Sequence, residues 1–338
     1  MHQYVERLHG MVLDEELFGN RIVRFRYSRA RERAPFLFRL ATSARVSSLL
    51  GWCNFDLQLA PKLLGNVGFL RRCGVDLDEC LEPASHFTTP RQIFERQIRY
   101  WQCRPMPADP RAVVAPADAR VIVGALAADS ALFVKGKFFE YEELLGASEG
   151  RWLAAFADGD YAIFRLTPDK YHYNHTPVAG RVLDHYLIDG AYHSCNPGAV
   201  VAMVTPYSKN RRVVTVIDTD VEGGTGVGLV AMVEVVAMMI GDIVQRYSDS
   251  GYDWPQRIRP GMFLAKGVPK SLYRPGSSTD ILLFEKGRIA FADDLVSTVR
   301  RSDVASRFSL GFGQPLVETE VAVRSLLATA YTTRRKQA

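Results

Sequence analysis

The feature that most constrains the fold is a change of texture at Pro105-Met106-Pro107-Ala108-Asp109-Pro110. Three prolines in six residues cannot continue a helix or a central strand, so the stretch reads as a boundary. After it come short β-type runs separated by turn residues: Val113-Val114, Val121 to Val123, Tyr161 to Phe164, Val200 to Val204, Val213 to Ile217 and Leu229 to Val236. Such spacing predicts a β-rich unit of short strands. Before the break, apolar residues recur at helical spacing, as in Leu8, Val12 and Leu13, or Phe36, Leu37, Leu40 and Ala41. The expectation is therefore an α+β chain. A helical region over residues 1–105 precedes a β-rich, barrel- or sandwich-like unit over 106–338. Within that unit Glu140 to Leu145 reads as a short helix, and Thr319 to Thr329 as a second helix near the C-terminus.

The chain's 338 residues suffice for a sizeable core, and 47% hydrophobic with 23% charged residues is globular composition. A net charge of +5 is too small to argue for nucleic acid, and no nucleic-acid motif accompanies it. Five cysteines without a C-x-x-C pair disfavour a disulfide framework or a zinc site, and no metal is expected. A reducing compartment fits this cysteine usage, and Met1 to Glu16 lacks the apolar centre of a signal peptide. The most apolar window, Val227 to Ile243, is interrupted by Glu234 and Asp242 and falls short of a membrane span. Arginines 21, 24, 26, 29, 31, 33, 39 and 45 alternate with Ile22, Val23, Phe25, Tyr27, Phe36 and Phe38. That mixture reads either as a solvated face on a core helix or as a surface helix lying on anionic lipid.

Four stretches carry candidate chemistry. Ala115-Pro116-Ala117-Asp118 puts a carboxylate at the end of a proline turn, where capping of local backbone is the commoner use. Tyr171-His172-Tyr173-Asn174-His175-Thr176-Pro177 holds two of the seven histidines three residues apart. An imidazole there is either a structural group or a general base able to take a serine proton. Gly223-Gly224-Thr225-Gly226-Val227-Gly228 lacks the Lys-Ser/Thr of a phosphate loop and reads as turn chemistry. Tyr273-Arg274-Pro275-Gly276-Ser277-Ser278-Thr279-Asp280 is a hydroxyl-bearing turn running into the apolar Ile281-Leu282-Leu283-Phe284. It is a loop into a strand, or a place where a serine attacks the carbonyl before it and the backbone cuts itself.

Taken in order, these pieces resemble the phosphatidylserine decarboxylase family over residues 105–290. Ala115 to Val121 is similar to the family's S-P-A-D-G-x-V, with Ala119 in place of Gly. Val134-Lys135-Gly136 and Leu144-Leu145-Gly146 are similar to V-K-G and L-L-G, and Tyr171 to Gly180 to Y-H-R-x-H-x-P-x-x-G. Asn196-Pro197, Asn210-Arg211-Arg212 and Ala237 to Ile243 resemble further family motifs. Lys266-Gly267 followed by Gly276-Ser277-Ser278-Thr279 resembles the cleavage site.

The resemblance implies a self-cleaving proenzyme. Asp118 and His175 match an aspartate and histidine that, with the serine, form a protease-like triad for the cut. His172 matches a histidine near the substrate. Counting back from Phe284 puts the nucleophile at Ser278, and the bare Gly-Ser pairing puts it at Ser277. That serine becomes a covalent pyruvoyl group, the only cofactor the family needs. The implied reaction is decarboxylation of phosphatidylserine to phosphatidylethanolamine, on the cytoplasmic face of an anionic membrane. The two cleavage chains would stay together as a heterodimer, open to further oligomerisation. A soluble decarboxylase of a free amino acid and an uncleaved lipid-binding relative are the alternatives.

Overall fold

A computed structural model describes residues 2–15, 75–87, 89–126, 139–167, 169–202, 206–237, 243–274 and 278–331. The arginine-rich stretch 21–45, Lys135-Gly136, Gly276 and Ser277 all lie outside the described residues.

Sixteen strands are described. They are β1 (Gln3–Glu6), β2 (Val12–Asp14), β3 (Ala112–Val114), β4 (Ala119–Ala125), β5 (Asp160–Leu166), β6 (Tyr173–His175), β7 (Gly180–Ile188) and β8 (Arg212–Asp218), followed by β9 (Leu229–Val236), β10 (Ile243–Gln245), β11 (Phe263–Leu264), β12 (Pro269–Tyr273), β13 (Ser278–Phe284), β14 (Ile289–Phe291), β15 (Thr319–Val321) and β16 (Leu326–Ala330). Ten build one sheet in the order β11-β7-β8-β9-β13-β5-β4-β15-β1-β2. The smaller sheets are β10-β12-β6 and β14-β16-β3. The α+β expectation holds, with sheet predominating. The barrel expectation does not: the large sheet ends at β11 and β2, and it stays open.

The apolar runs of β9 and β13 follow from burial on both faces. Ile281 and Leu283 of β13 enter one core with Val233 and Val235 of β9, beneath helices Tyr141–Leu145, Gly150–Phe156 and Arg307–Phe312. Leu282 and Phe284 enter the other, with residues of the smaller sheets such as Val113, Tyr273 and Ala328. β13 lies between β5 and β9 with seven residues in register on each side, from Ser278 opposite Leu166 and Val236 to Phe284 opposite Asp160 and Val230.

Three expectations about elements are corrected. Leu8, Val12 and Leu13 do not lie on a helix. Gly10 sits at a φ of +68°, which favours glycine, and closes a turn between β1 and β2. Thr319 to Thr329 forms β15 and β16, joined through Arg324 at a φ of +69°. The burial there alternates, with Thr319, Val321 and Val323 inside and Ala322 exposed, a period of two that belongs to a strand and not to a helix. The Val200 to Val204 strand is a helix as far as it is described, Pro197–Ala202. Asn196 starts it, its Oδ1 accepting from the Gly198 N–H at 2.9 Å, with proline at the first helical position. Tyr141–Leu145 matches the expected Glu140–Leu145 helix.

Candidate active site

β6 brings the histidine motif to the strand that leads into the serine turn. It pairs antiparallel with β12, Tyr173 opposite Leu272 and His175 opposite Pro269, around an irregularity between Pro269 and Ser271. The Tyr273 N–H donates to the His172 carbonyl at 3.1 Å. On the other side the His175 N–H donates to the Pro116 carbonyl at 2.7 Å, two residues before Asp118. The backbone thus gathers three motifs that are far apart in sequence.

His175 is fully buried, and burial pushes its imidazole down to about 3, so the ring is neutral near pH 7. Its Nδ1 is 3.0 Å from the Gly267 carbonyl, which accepts only, so Nδ1 carries the proton. Nε2 is left as the basic nitrogen, 3.0 Å from the Tyr171 hydroxyl. The backbone at Gly267 favours glycine. Its φ is +73°, and a Cβ there would meet Met106 Sδ at 2.5 Å. Tyr100 packs edge-on against the imidazole, 4.7 Å between ring centres.

Asp118 stands just before β4, and its carboxylate goes to other partners than His175. Arg104 Nε and Nη2 donate to it at 3.0 and 2.8 Å, and the Val323 N–H donates to Oδ1 at 2.8 Å. Burial opposes its ionisation, but the Arg104 guanidinium outweighs this and holds the carboxyl below its usual range. Asp118 and His175 share no hydrogen bond, and the link between them is electrostatic: the Asp118 charge favours a protonated His175.

His172 is also fully buried, and burial pushes it down to about 3. Its ring stacks on Phe94 at 3.5 Å, and neither ring nitrogen has a hydrogen-bond partner of normal geometry. Phe94 ends the helix Pro90–Phe94, whose start is fixed by a capping box between Thr89 and Gln92. Ser278 opens β13, and its hydroxyl is buried without a partner. A buried orphan hydroxyl costs free energy and is the kind of group that chemistry at that position explains.

Next to Ser278 lies a polar layer that the sequence reading missed. Asp280 faces the same side of β13 as Ser278 and accepts from the Tyr273 hydroxyl at 2.7 Å. Burial holds the Asp280 carboxyl well above its usual range. Opposite it on β9, Glu234 pairs with Lys270 of β12 at 2.6 Å, both side chains inaccessible to solvent. Asn174 and Ser271 also bond to Glu234. The one signal in the sequence was Glu234 itself, a lone carboxylate inside an apolar strand. Arg104, Tyr171 and Tyr252 gave no comparable signal.

His2, Glu15 and Glu318 are the one group of metal-ligating side chains that come together among the described residues. Arg165 bonds both carboxylates, at 2.8 Å to Glu15 Oε2 and 2.5 Å to Glu318 Oε2, so guanidinium charge already balances the cluster.

Residues 91–309 match the family model described as phosphatidylserine decarboxylase. A phosphatidylserine decarboxylase proenzyme of Chlamydia trachomatis serovar L2 is 30% identical over 294 residues, covering 87% of this chain and 90% of that protein. The proenzyme of Chlamydia pneumoniae is 29% identical over 88% of this chain and 92% of its own length. That of Fusobacterium nucleatum subsp. nucleatum is 26% identical over 91% and 95%. The chain belongs to the phosphatidylserine decarboxylase family.

Proposed function

We propose that this chain is a proenzyme that cuts itself at Ser278, or at Ser277, and then decarboxylates phosphatidylserine to phosphatidylethanolamine. The observation that carries the reading is the double tether of β6. Its histidine segment is hydrogen-bonded both to the segment ending in Asp118 and to the strand entering the serine turn. In the self-cleavage, the serine Oγ forms a bond to the preceding carbonyl carbon, the C–N bond breaks, and an ester replaces the amide. Loss of the serine Cα proton then expels the upstream chain as a carboxylate, and water converts the dehydroalanine left behind to the pyruvoyl group with release of ammonia. His175 takes the proton at Nε2, the nitrogen that carries none, through the Tyr171 hydroxyl that faces it. Burial keeps the ring neutral before the step. Asp118 acts on it through charge, and Gly267 fixes its tautomer. The partnerless hydroxyl of Ser278 fits a precursor of the pyruvoyl group. That group supplies the carbonyl that captures the substrate's amine and takes up electrons as carbon dioxide leaves. The buried, neutral ring of His172 suits it to hold or return a proton on the substrate side.

Membrane association is part of the same proposal and rests on the arginine-rich stretch 21–45, in the 1–105 region, with residues 106–338 as the decarboxylase unit. No helix among the described residues is long and apolar enough to cross a membrane. A peripheral position on the cytoplasmic face fits, and salt-sensitive binding to anionic vesicles is its test.

Site variants test the chemistry. His175→Ala and Asp118→Ala are expected to remain largely uncut, and His172→Ala to cut but decarboxylate at least about a hundredfold more slowly. Normal processing of His175→Ala removes it from the reaction, and full activity of His172→Ala ends the substrate-side role.

A further inference from the structure

The imidazole of His175 is the inner end of a chain of hydroxyl groups. Tyr171 Oη lies 3.0 Å from His175 Nε2 and 2.7 Å from Tyr252 Oη. Tyr252 Oη in turn lies 2.9 Å from the Ile98 carbonyl and accepts from the Ile98 N–H at 3.2 Å. Tyr171 is fully buried, and burial holds its hydroxyl well above its usual range, so it stays protonated. Three links therefore join Nε2, two hydroxyl oxygens and a carbonyl.

The protons in these links can be counted. When His175 is neutral, its one proton is on Nδ1, facing Gly267. Nε2 and the Ile98 carbonyl are then both acceptors, and two hydroxyl protons must serve three links. One link is always empty. When His175 carries a second proton, Nε2 donates to Tyr171, Tyr171 to Tyr252 and Tyr252 to Ile98. All three links are filled and point the same way. Each such buried bond polarises the next. The charges around the ring do not supply this on their own: Asp118 favours the protonated form, and Arg324 and Arg104 oppose it.

Resting on the reading of His175 as the base, we propose that Tyr171 and Tyr252 are positioning residues that hold Nε2 and stabilise the imidazolium formed during self-cleavage. They act at Nε2, the nitrogen that gains the proton. The Nδ1 site that a carboxylate occupies in a hydrolase triad is held here by the Gly267 carbonyl, and Asp118 is engaged with Arg104. No bond to carbon changes in the chain of hydroxyl groups. Nε2 has one lone pair, and Tyr171 Oη lies on it. Tyr171 therefore passes its own proton to Nε2 and takes up the one the serine hydroxyl loses, while the Tyr252 proton stays on its link to Ile98.

The test is a double-mutant cycle on the rate of self-cleavage of the full chain. Tyr171→Phe is expected to slow cleavage roughly tenfold or more, the worth of a hydrogen bond to a charged group. Tyr252→Phe should slow it less, and should add nothing in the Tyr171→Phe background, because it acts through Tyr171. Additive effects, or folded variants that cleave at the normal rate, overturn the proposal. The second measurement needs no activity. In the uncut Ser277→Ala, Ser278→Ala chain, nitrogen NMR of His175 should show the Nδ1–H tautomer, and Tyr171→Phe should shift its Nε2 resonance. An unchanged Nε2 resonance also overturns the proposal. If His175→Ala cleaves normally, the base assignment fails, and the NMR comparison still decides whether the tyrosines hold the ring.

Discussion

His172 and His175 were legible in the sequence as a pair, and the structure gives them one environment with two consequences. Both are neutral near pH 7 because burial disfavours charge, which leaves each a lone pair for a proton and also weakens each as a base. The same burial makes them acid-sensitive. Both fall from an ordinary 6.5 to about 3, so between those values the unfolded chain binds more protons than the folded one. Their contribution to stability is complete above pH 6.5 and is lost as pH falls toward 3. Each costs up to about 1.4 kcal/mol per pH unit in that window. The melting temperature of the uncut chain should therefore drop from pH 6.5 to 4.5, and His172→Asn should flatten the drop. A wild-type melting temperature that is constant over this range contradicts the burial of neutral imidazoles. Asp280 works in the opposite sense, since its raised carboxyl favours the folded state as pH falls.

At the scale of elements, strands were legible where β-branched runs were bounded by turns: β3, β4, β5, β8 and β9 were all expected. Misreadings came where a period of two was short, as at Thr319 to Val323, or where side-chain capping overrode strand propensity, as at Asn196-Pro197. The site was legible as motifs but not as contacts. Asp118 could be singled out from its turn, yet its partner Arg104 precedes it by fourteen residues across the proline break and belongs to no local pattern. Tyr252 reaches Tyr171 only because β10 and β12 bring its loop alongside β6. The buried Lys270–Glu234 pair joins β12 to β9 and gives a direct test of that packing. Lys270→Met leaves Glu234 buried without a countercharge and should cost about 3–5 kcal/mol in urea unfolding. The double change with Glu234→Gln should recover part of this. Equal loss in the single and double variants would show that the pair is not the source.

For the whole molecule, the decisive feature is where the proposed cut falls. Cleavage before Ser278 turns β13 into the first strand of the small chain, yet β13 is central, with seven residues in register on each neighbour. The same small chain carries β15, which pairs with β1 and β4, and β16, which pairs with β3. Glu318 adds a buried bond to Arg165 on β5. The two chains should therefore co-elute under native conditions and separate only in denaturant, as expected if the active form is a heterodimer of its own halves. Self-cleavage is the central claim, and an intact-mass spectrum of the purified, denatured protein tests it most directly. The expected result is two species, the smaller one beginning with a pyruvoyl group in place of Ser278, or of Ser277 if the Gly-Ser bond is the one cut. A single species at the mass of the uncut 338-residue chain would contradict the account.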